Sequence, residues 1–418
     1  MIAAFRVRSF RFQFPADLLT SWAVEMENLI LAWYVLVNTG SVLMLTLFGS
    51  LQFLGTLAAP FFGVLNDRFG SRTMLFVLRG TYAVLAVTVM TLALTDLLAP
   101  PLVLMVAAVN GLVRPNDLVM RNSLIGETIP PEHLMSALGL SRSTMDSARV
   151  AGALAGAGLS AALGIGLAYV FVTVFYLASI ALTLGVARAR PVPDPSRTGG
   201  APARVARPSG WREVVDGLAY VWRTPRVLAA MYLAFLVNLT AYPVSGGLMP
   251  YVAKNIYLTD ATGLGWLVAS FSFGALLGSI ALVVMGSPRN PERVMVLNIA
   301  LWYALLFVFA HVRTFAVAMP LLMVTGLVQS LAMIAMAASL LQAAGDRFRA
   351  RVMGVRTLAV YGLPLGLMAA GALVERLGYP VAISLYCTLG LVFTVLIGVR
   401  WRASVWEPAP AREAGSAT

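Results

Sequence analysis

The chain has 418 residues, of which 59% are hydrophobic and 11% charged, and its mean hydropathy is +0.83. Soluble domains carry about 25% charged residues, so this composition excludes a water-soluble protein and predicts a chain whose solvent is the lipid bilayer. The formal net charge is +12. Its arginines are spread over loops on one side of the predicted membrane instead of one domain face, which excludes a nucleic-acid-binding surface.

Apolar runs of membrane-spanning length recur along the sequence. A span needs about 20 apolar residues, and lipid offers the backbone no hydrogen bonds, so these runs predict helices. The twelve predicted spans are residues 16–38, 42–62, 73–94, 102–125, 136–163, 165–186, 227–251, 263–285, 294–310, 316–341, 352–374 and 381–399. The expected fold class is therefore an all-α membrane protein.

The composition changes after the sixth predicted span. Residues 188–225 are rich in arginine, proline and glycine, which is typical of a flexible cytoplasmic linker. Trp211, Val215, Leu218 and Trp222 are spaced as one apolar face, which predicts an amphipathic helix on the membrane surface at the end of this linker.

This linker divides the predicted architecture. The four expected regions are an N-terminal six-helix half, the linker, a C-terminal six-helix half and a disordered tail, at residues 1–187, 188–225, 226–400 and 401–418. Basic residues concentrate in the loops that follow the even-numbered spans, so both termini are expected in the cytoplasm.

Residue counts also limit the chemistry. Cys387 is the only cysteine, and His133 and His311 are the only histidines, so neither an intrachain disulfide nor a histidine-based metal centre is expected. No glycine-rich phosphate loop precedes Lys254, the only lysine. We therefore expect no enzyme activity, no metal and no cofactor.

The turn between the second and third spans is charged and rich in glycine. It contains Gly63, Asp67, Arg68, Gly70 and Arg72, and its charges hold it at the membrane surface. This pattern resembles the signature loop between helices 2 and 3 of the major facilitator superfamily of secondary transporters. Ser71 stands where that family usually has a basic residue.

A finer resemblance is carried by three short stretches. Arg-Val-Met-Gly at 351–354, Gly-Leu-Pro-Leu-Gly at 362–366 and Arg-Asn-Ser-Leu-Ile at 121–125 are similar to bacterial drug and siderophore exporters, including macrolide efflux pumps and the enterobactin exporter. The resemblance implies two pseudo-symmetric six-helix halves around a central cavity, worked by alternating access.

From this resemblance we expect a proton-coupled exporter of a small amphiphilic molecule in the inner, cytoplasmic membrane. The expected partners are the lipid bilayer, the substrate and protons, and we expect a monomer. Two alternatives remain open. One is uptake or facilitated diffusion of a small metabolite, and the other is a membrane sensor or assembly protein that transports nothing.

The first span contains two carboxylates, Glu25 and Glu27, about 200° apart on a helix. Glu27 shares its face with Thr20, Tyr34 and Asn38, so we expect Glu27 to face the aqueous cavity and Glu25 to face a neighbouring helix. Burial disfavours the charged form of a carboxylate, which suits proton binding near neutral pH. Alternatively, both glutamates pair with arginines and never titrate.

Spans four and five carry charges at helical spacing. The six residues are Arg114, Asp117, Arg121, Arg142, Asp146 and Arg149. The two spans share a turn, and each charge of span four lies as far from that turn as a charge of span five. We therefore expect one ladder of charges between the two helices. It either holds the two helices together or binds an anionic substrate. Asp146 is also a proton-coupling candidate, after Glu27 and Glu25.

Two further groups complete the candidate sites. Asp67 is expected at the N-terminus of span 11 near Arg351, as a gate that closes the cytoplasmic side, unless the signature loop is only a solvated turn. The polar residues expected along the cavity wall are Tyr34, Asn38, Asn238, Tyr242, Gln329 and Tyr361.

Overall fold

The computed structural model describes residues 5–56, 62, 65–66, 68–187, 219–285, 290–402 and 406. All regular secondary structure in this part of the chain is helical. The longer helices are α1 (Arg8–Thr39), α2 (Val42–Leu51), α3 (Ser71–Leu94), α4 (Pro100–Thr128), α5 (Pro131–Leu184), α6 (Pro225–Thr240), α7 (Ala261–Met285), α8 (Pro291–His311), α9 (Phe315–Ala343), α10 (Gly345–Leu358), α11 (Gly362–Leu377) and α12 (Tyr379–Arg400). The predicted all-α fold class is confirmed.

The predicted boundaries of the spans differ from the observed boundaries of the helices. Over the described residues, 9 helical stretches are long and apolar enough to cross a membrane, and α1, which contains three acidic residues, is not one of them. Two predicted spans lie in α5, which bends at Gly164, where φ is +77°. The predicted span 11 comprises α10 and α11 with a 3₁₀ turn between them. The count of twelve spans stays a prediction.

Local sequence explains where several helices begin and end. Five of them, α4, α5, α6, α8 and α12, have proline in their first turn, where the missing N–H costs no hydrogen bond. At the other end, α1 stops at Gly40, whose φ of +64° is a left-handed conformation that glycine adopts without strain.

The described residues divide into two compact units. The first unit takes the described residues of Met1–Gly210, Gly246–Ser272 and Leu367–Arg376, and the second those of Trp211–Ser245, Phe273–Gly366 and Leu377–Thr418. Of the predicted linker, residues 188–225, the part 188–218 lies outside the described part of the chain. The division into two six-helix halves therefore stays a prediction, as do the surface helix and the tail.

In the first unit, α1 packs against α5 around a buried apolar core. The core includes Met26 and Ile30 of α1, Tyr82 of α3, and Tyr169 and Tyr176 of α5. Close approach of the two helices depends on glycines of α5. A Cβ atom at Gly156 would lie 2.9 Å from the Cα of Met26, and one at Gly152 would lie 3.0 Å from the Cβ of Glu25. Glu25 and Glu27 therefore flank this contact.

In the second unit, α8 supplies the largest buried side chains. Trp302 is fully buried, and the hydroxyl of Tyr303 lies 2.7 Å from that of Thr240 on α6. A Cβ at Gly390 of α12 would overlap the Tyr303 ring. These contacts fix α6, α8 and α12 against one another.

Candidate functional site

Three carboxylates of α1 have different surroundings. Asp17 and Glu27 are buried, with 1% and 4% of each residue exposed, whereas the side chain of Glu25 is 29% exposed. Each is a costly group at membrane depth unless partners satisfy it. Their partners therefore show what each carboxylate can do.

Glu27 is held by two tyrosines of α5. The hydroxyl of Tyr176 donates to Oε2 at 2.8 Å, and that of Tyr169 donates to Oε1 at 3.2 Å. The tyrosines are seven residues apart and so lie on one face of α5. Among the described residues, no arginine or lysine forms an ion pair with Glu27. Glu27 is a buried carboxylate held by neutral hydroxyls.

The expectation that Glu27 faces the aqueous cavity was wrong, because Glu27 is buried and accepts hydrogen bonds from two tyrosines of α5. Glu25 lies against neighbouring helices, next to Gly152 of α5 and Arg114 of α4.

The polar face of α1 contacts protein: the Thr20 hydroxyl lies 2.6 Å from Ser179 Oγ, and the Tyr34 hydroxyl donates to Leu98 O at 2.6 Å. The reason is physical. In lipid, polar side chains gain most by facing other helices, so a polar stripe does not by itself mark an aqueous surface.

Glu25 lies beside an arginine of α4. Nη2 of Arg114 is 3.8 Å from Oε1 of Glu25, and its Nη1 donates to Oδ1 of Asn28 at 2.8 Å and Oε1 of Gln52 at 2.7 Å. Asn28 is on α1, and Gln52 ends α2. The Arg114 guanidinium thus connects three helices, and its partners are one charged and two neutral groups.

The third carboxylate of α1, Asp17, pairs with Arg79 of α3. Each residue is only 1% exposed, and Arg79 also donates to the hydroxyl of Thr183 near the end of α5. Neither residue was predicted from the sequence as a site residue. A signal was present, because Arg79 is the only charged residue in the predicted span 73–94, and an ionisable residue within a span needs a partner.

The same carboxylate is close to Arg121 of α4. Nε of Arg121 lies 3.7 Å from Oδ1 of Asp17 and 2.5 Å from Oδ2 of Asp117, and Nη1 donates to Ser21 Oγ at 2.8 Å. Two arginines and two aspartates therefore form one buried, charge-balanced cluster. We call Asp17, Arg79, Asp117 and Arg121 the charge cluster.

The predicted ladder between spans four and five was wrong for the charges of α4. Arg114 and Arg121 find their partners on α1, at the end of α2 and within α4 itself. Helices that follow each other in sequence need not be neighbours along their length, and here α1 packs against both α4 and α5. Arg142 and Arg149 are exposed, and the side chain of Asp146 lies outside the described residues.

Only part of the signature loop is described. Gly63 and Asp67 lie outside the described residues, as does the side chain of Arg351, so the predicted gate stays a prediction. Gly70, with φ of +79°, precedes α3. Arg72 donates to Leu184 O at 2.6 Å at the end of α5, where a positive charge complements the helix dipole.

Three more residues of the loop region have local partners. The guanidinium of Arg68 lies 5.5 Å from the ring centroid of Phe69. The hydroxyl of Ser71 donates to Oε1 of Glu127 at 2.5 Å and lies 2.8 Å from Ser123 Oγ, both near the end of α4. Ser71 therefore joins the start of α3 to the end of α4 through neutral and acidic partners.

The second unit contains a cavity of about 270 Å³. Its walls are one face each of α6, α9 and α10, together with residues that directly follow α6 and α10. The lining residues are Ala234, Val237, Asn238, Tyr242, Met333, Met336, Met353, Arg356, Thr357 and Val360. Asn238 and Tyr242, two of the predicted cavity residues, are in this set. Gln329 donates to the Tyr242 hydroxyl at 2.9 Å.

The other predicted cavity residues lie elsewhere. Tyr361 is on the 3₁₀ turn Ala359–Tyr361 and is not one of the lining residues. Tyr34 bonds the carbonyl of Leu98, and the exposed Asn38 donates to Tyr34 O at 2.9 Å. Arg356 was not predicted as a cavity residue, although a lone arginine inside the predicted span 352–374 was a visible signal.

Comparisons with known proteins agree with this architecture. Residues 15–254 match the family model of the Major Facilitator Superfamily. The multidrug efflux pump Tap of Mycolicibacterium fortuitum is 30% identical over 170 residues. That alignment spans 40% of this chain and 40% of the pump, so it covers less than half of either protein.

Solved transporter structures superpose on nearly the whole chain. An auto-inhibited peptide transporter of the POT family gives a TM-score of 0.69 at 12% identity, covering 98% of this chain and 99% of that one. A bacterial homologue of the human lysosomal transporter Spinster gives 0.67 at 14% identity, covering 96% and 98%. The nucleoside transporter NupG gives 0.64 at 13% identity, covering 95% and 99%. At these identities the likeness shows the fold alone.

Proposed function

The chain belongs to the Major Facilitator Superfamily, and on that premise we propose that it exports a small amphiphilic molecule in exchange for protons. It is a multi-pass membrane protein and a secondary transporter, not an enzyme.

The observation that carries the proton coupling is the burial of Glu27 without an ion-pair partner among the described residues. An ionised carboxylate is costly in an apolar core unless it is paired, so a bound proton removes that cost. The Tyr169 and Tyr176 hydroxyls stabilise the charged form only in part. Both protonation states of Glu27 are therefore within reach, which a proton carrier requires.

Protonation of Glu27 would change the contact between α1 and α5. An ionised carboxylate only accepts hydrogen bonds, whereas a protonated one also donates. Both tyrosines now donate to Glu27, so after protonation one of them must accept a hydrogen bond or move. Glu27 thereby links proton binding to the packing of two helices, which is the kind of coupling that alternating access needs.

Glu25 remains the second candidate and Asp146 the third. Glu25 has Arg114 as an ion-pair partner at 3.8 Å. The buried position of Glu27, without an ion pair, supports placing it first.

The direction of transport is inferred from similarity. The partial similarity to the multidrug efflux pump Tap favours export. The concentration of arginines in the loops after even-numbered predicted spans supports a cytoplasmic position for both termini. We propose a location in the cytoplasmic membrane, and monomeric function stays a prediction.

The test uses everted membrane vesicles with a preset pH gradient and a panel of dyes, drugs and siderophores. Wild type is compared with Glu27→Gln, and Glu375→Gln, at an exposed position near the end of α11, is the matched control. We expect at least one compound to collapse the gradient with wild type and Glu375→Gln but not with Glu27→Gln.

Two results would contradict the proposal. If Glu27→Gln responds like wild type, Glu27 is not the proton site, and Glu25 and Asp146 are tested next. If no variant responds to any compound, proton-coupled export of the panel is contradicted, and uptake, facilitated diffusion or a non-transporting role becomes the better hypothesis.

A further inference from the structure

The cavity of the second unit is built from three helical faces. Ala234, Val237, Asn238 and Tyr242 lie at i, i+3, i+4 and i+8, and residues 353, 356, 357 and 360 lie at i, i+3, i+4 and i+7. Its volume of about 270 Å³ is close to the lower limit of about 300 Å³ for small-molecule sites. The cavity therefore suits a small ligand or one end of a larger one.

The cavity contains one permanent charge. Arg356 is partly buried in its wall, and a guanidinium stays protonated in proteins. Among the described residues, no carboxylate forms an ion pair with Arg356. The other polar groups of the lining, on Asn238, Tyr242 and Thr357, are neutral. The electrostatic character of the cavity is thus positive.

Most of the remaining lining is apolar and adaptable. Met333, Met336 and Met353 present flexible, polarisable side chains, which fill irregular gaps and accept ligands of different shape. Beside them, the Tyr242 hydroxyl is oriented by the hydrogen bond from Gln329. One fixed cation beside an apolar wall is complementary to a molecule with one anionic group and an apolar body.

We propose that this cavity binds the anionic group of an amphiphilic carboxylate or sulfonate, with Arg356 as its counter-ion. This inference rests on the proposed function, because it names the substrate class of the proposed exporter. A guanidinium and a carboxylate form two parallel hydrogen bonds, which gives orientation as well as affinity. A cationic amphiphile is disfavoured, since Arg356 would repel it and the described lining offers no acid.

The test is equilibrium binding of three probes of the same shape to the full-length protein in lipid nanodiscs. The probes are 2-naphthoate, the neutral 2-naphthamide and the cation 2-naphthylmethylammonium, measured by calorimetry. Wild type is compared with Arg356→Gln and Arg356→Lys, and with Arg376→Gln as a control at an exposed position.

We expect wild type and Arg376→Gln to bind naphthoate about tenfold or more tightly than naphthamide, a difference of about 1.4 kcal/mol. Arg356→Gln should bind the two equally, with unchanged naphthamide affinity, and Arg356→Lys should keep a preference for naphthoate. Equal binding of naphthoate and naphthamide by wild type would overturn the proposal. So would preferred binding of the cation, no saturable binding of naphthoate, or an intact preference in Arg356→Gln.

If Arg356→Gln fails to bind naphthamide, Arg356→Lys decides, because a lysine that also abolishes the naphthoate preference would overturn the counter-ion role. The assay contains no pH gradient, so its outcome is separate from that of the vesicle experiment. Equal binding of naphthoate and naphthamide by wild type, with intact proton coupling, contradicts only the substrate class. Intact anion binding without proton coupling contradicts only the proposed function.

Discussion

Arg79 of the first unit and Arg356 of the second both belong to membrane helices, yet their surroundings differ. Arg79 is fully buried and pairs with Asp17, within a cluster of two arginines and two aspartates. Arg356 lies in the wall of a cavity, and its described surroundings contain neutral polar groups and methionines. A balanced charge holds helices together, whereas an unbalanced charge beside a cavity is free to bind a ligand.

The largest effect should come from breaking the charge cluster. Asp17→Asn removes one carboxylate that faces both Arg79 and Arg121. An uncompensated buried arginine should destabilise the protein by about 3–5 kcal/mol. We expect loss of monodisperse protein in size-exclusion chromatography, or a large fall in its thermal unfolding temperature.

The double variant Asp17→Leu with Arg79→Met is the control. It removes one charge of each sign, and buried pairs can often be replaced by apolar side chains without loss. It should therefore recover part of the stability. If Asp17→Asn unfolds at the wild-type temperature, the cluster does not hold these helices together.

A second prediction concerns the helix contact beside Glu25 and Glu27. Gly156→Leu places a side chain against Met26, whereas nothing lies within 4 Å of a Cβ at Gly158 on the same helix. Overpacking should cost about 1–3 kcal/mol at Gly156. The thermal unfolding temperature of Gly156→Leu should thus fall well below that of Gly158→Leu. Equal temperatures would refute the close approach of α1 and α5.

A third prediction separates two buried tyrosine hydroxyls. Tyr176→Phe removes a hydrogen bond to Glu27, and Tyr82→Phe removes a buried hydroxyl that has no partner among the described residues. The first should cost about 1–2 kcal/mol and the second should be neutral or stabilising. Thermal unfolding of both variants measures the difference. A greater loss from Tyr82→Phe would contradict the assignment of Tyr176 as the partner of Glu27.

The smallest effect is expected at the cavity. Arg356→Met removes a charge that pairs with no described carboxylate, so the unfolding temperature should stay unchanged or rise. The matched substitution Arg79→Met should lower it strongly, since Asp17 would lose its partner. If both substitutions destabilise the protein equally, the distinction between the two arginines fails.

The fold class could be predicted from the sequence because an apolar run of about 20 residues matches the thickness of the hydrocarbon core of the bilayer. The sequence did not predict the partners of individual charges, because these depend on how helices cross. Arg114 and Arg121 were expected to meet span five, yet α1, the end of α2 and α4 itself supply their partners. The contacts with α1 join residues 86 to 104 positions apart, and helical periodicity carries no information at that distance.

The faces of α1 illustrate the same limit. Glu27, Thr20 and Tyr34 share one face, which was predicted from the sequence to be an aqueous surface. In the structure that face contacts protein, including Ser179 and Tyr176 of α5. Hydropathy indicates which side chains avoid lipid. It does not indicate whether a polar side chain contacts water or another part of the protein. The same limit applies to Asn238 and Tyr242. The cavity that they line is formed by three helices, and the sequence does not show how these helices pack.

The most direct test of the central claim is the protonation of Glu27 itself. Infrared difference spectroscopy of the full-length protein in lipid, as pH is raised, detects the carbonyl band of any carboxylic acid that loses its proton. We predict a pH-dependent band in wild type and in Glu375→Gln that is absent in Glu27→Gln. A band that persists unchanged in Glu27→Gln would contradict the assignment of Glu27 as the proton carrier.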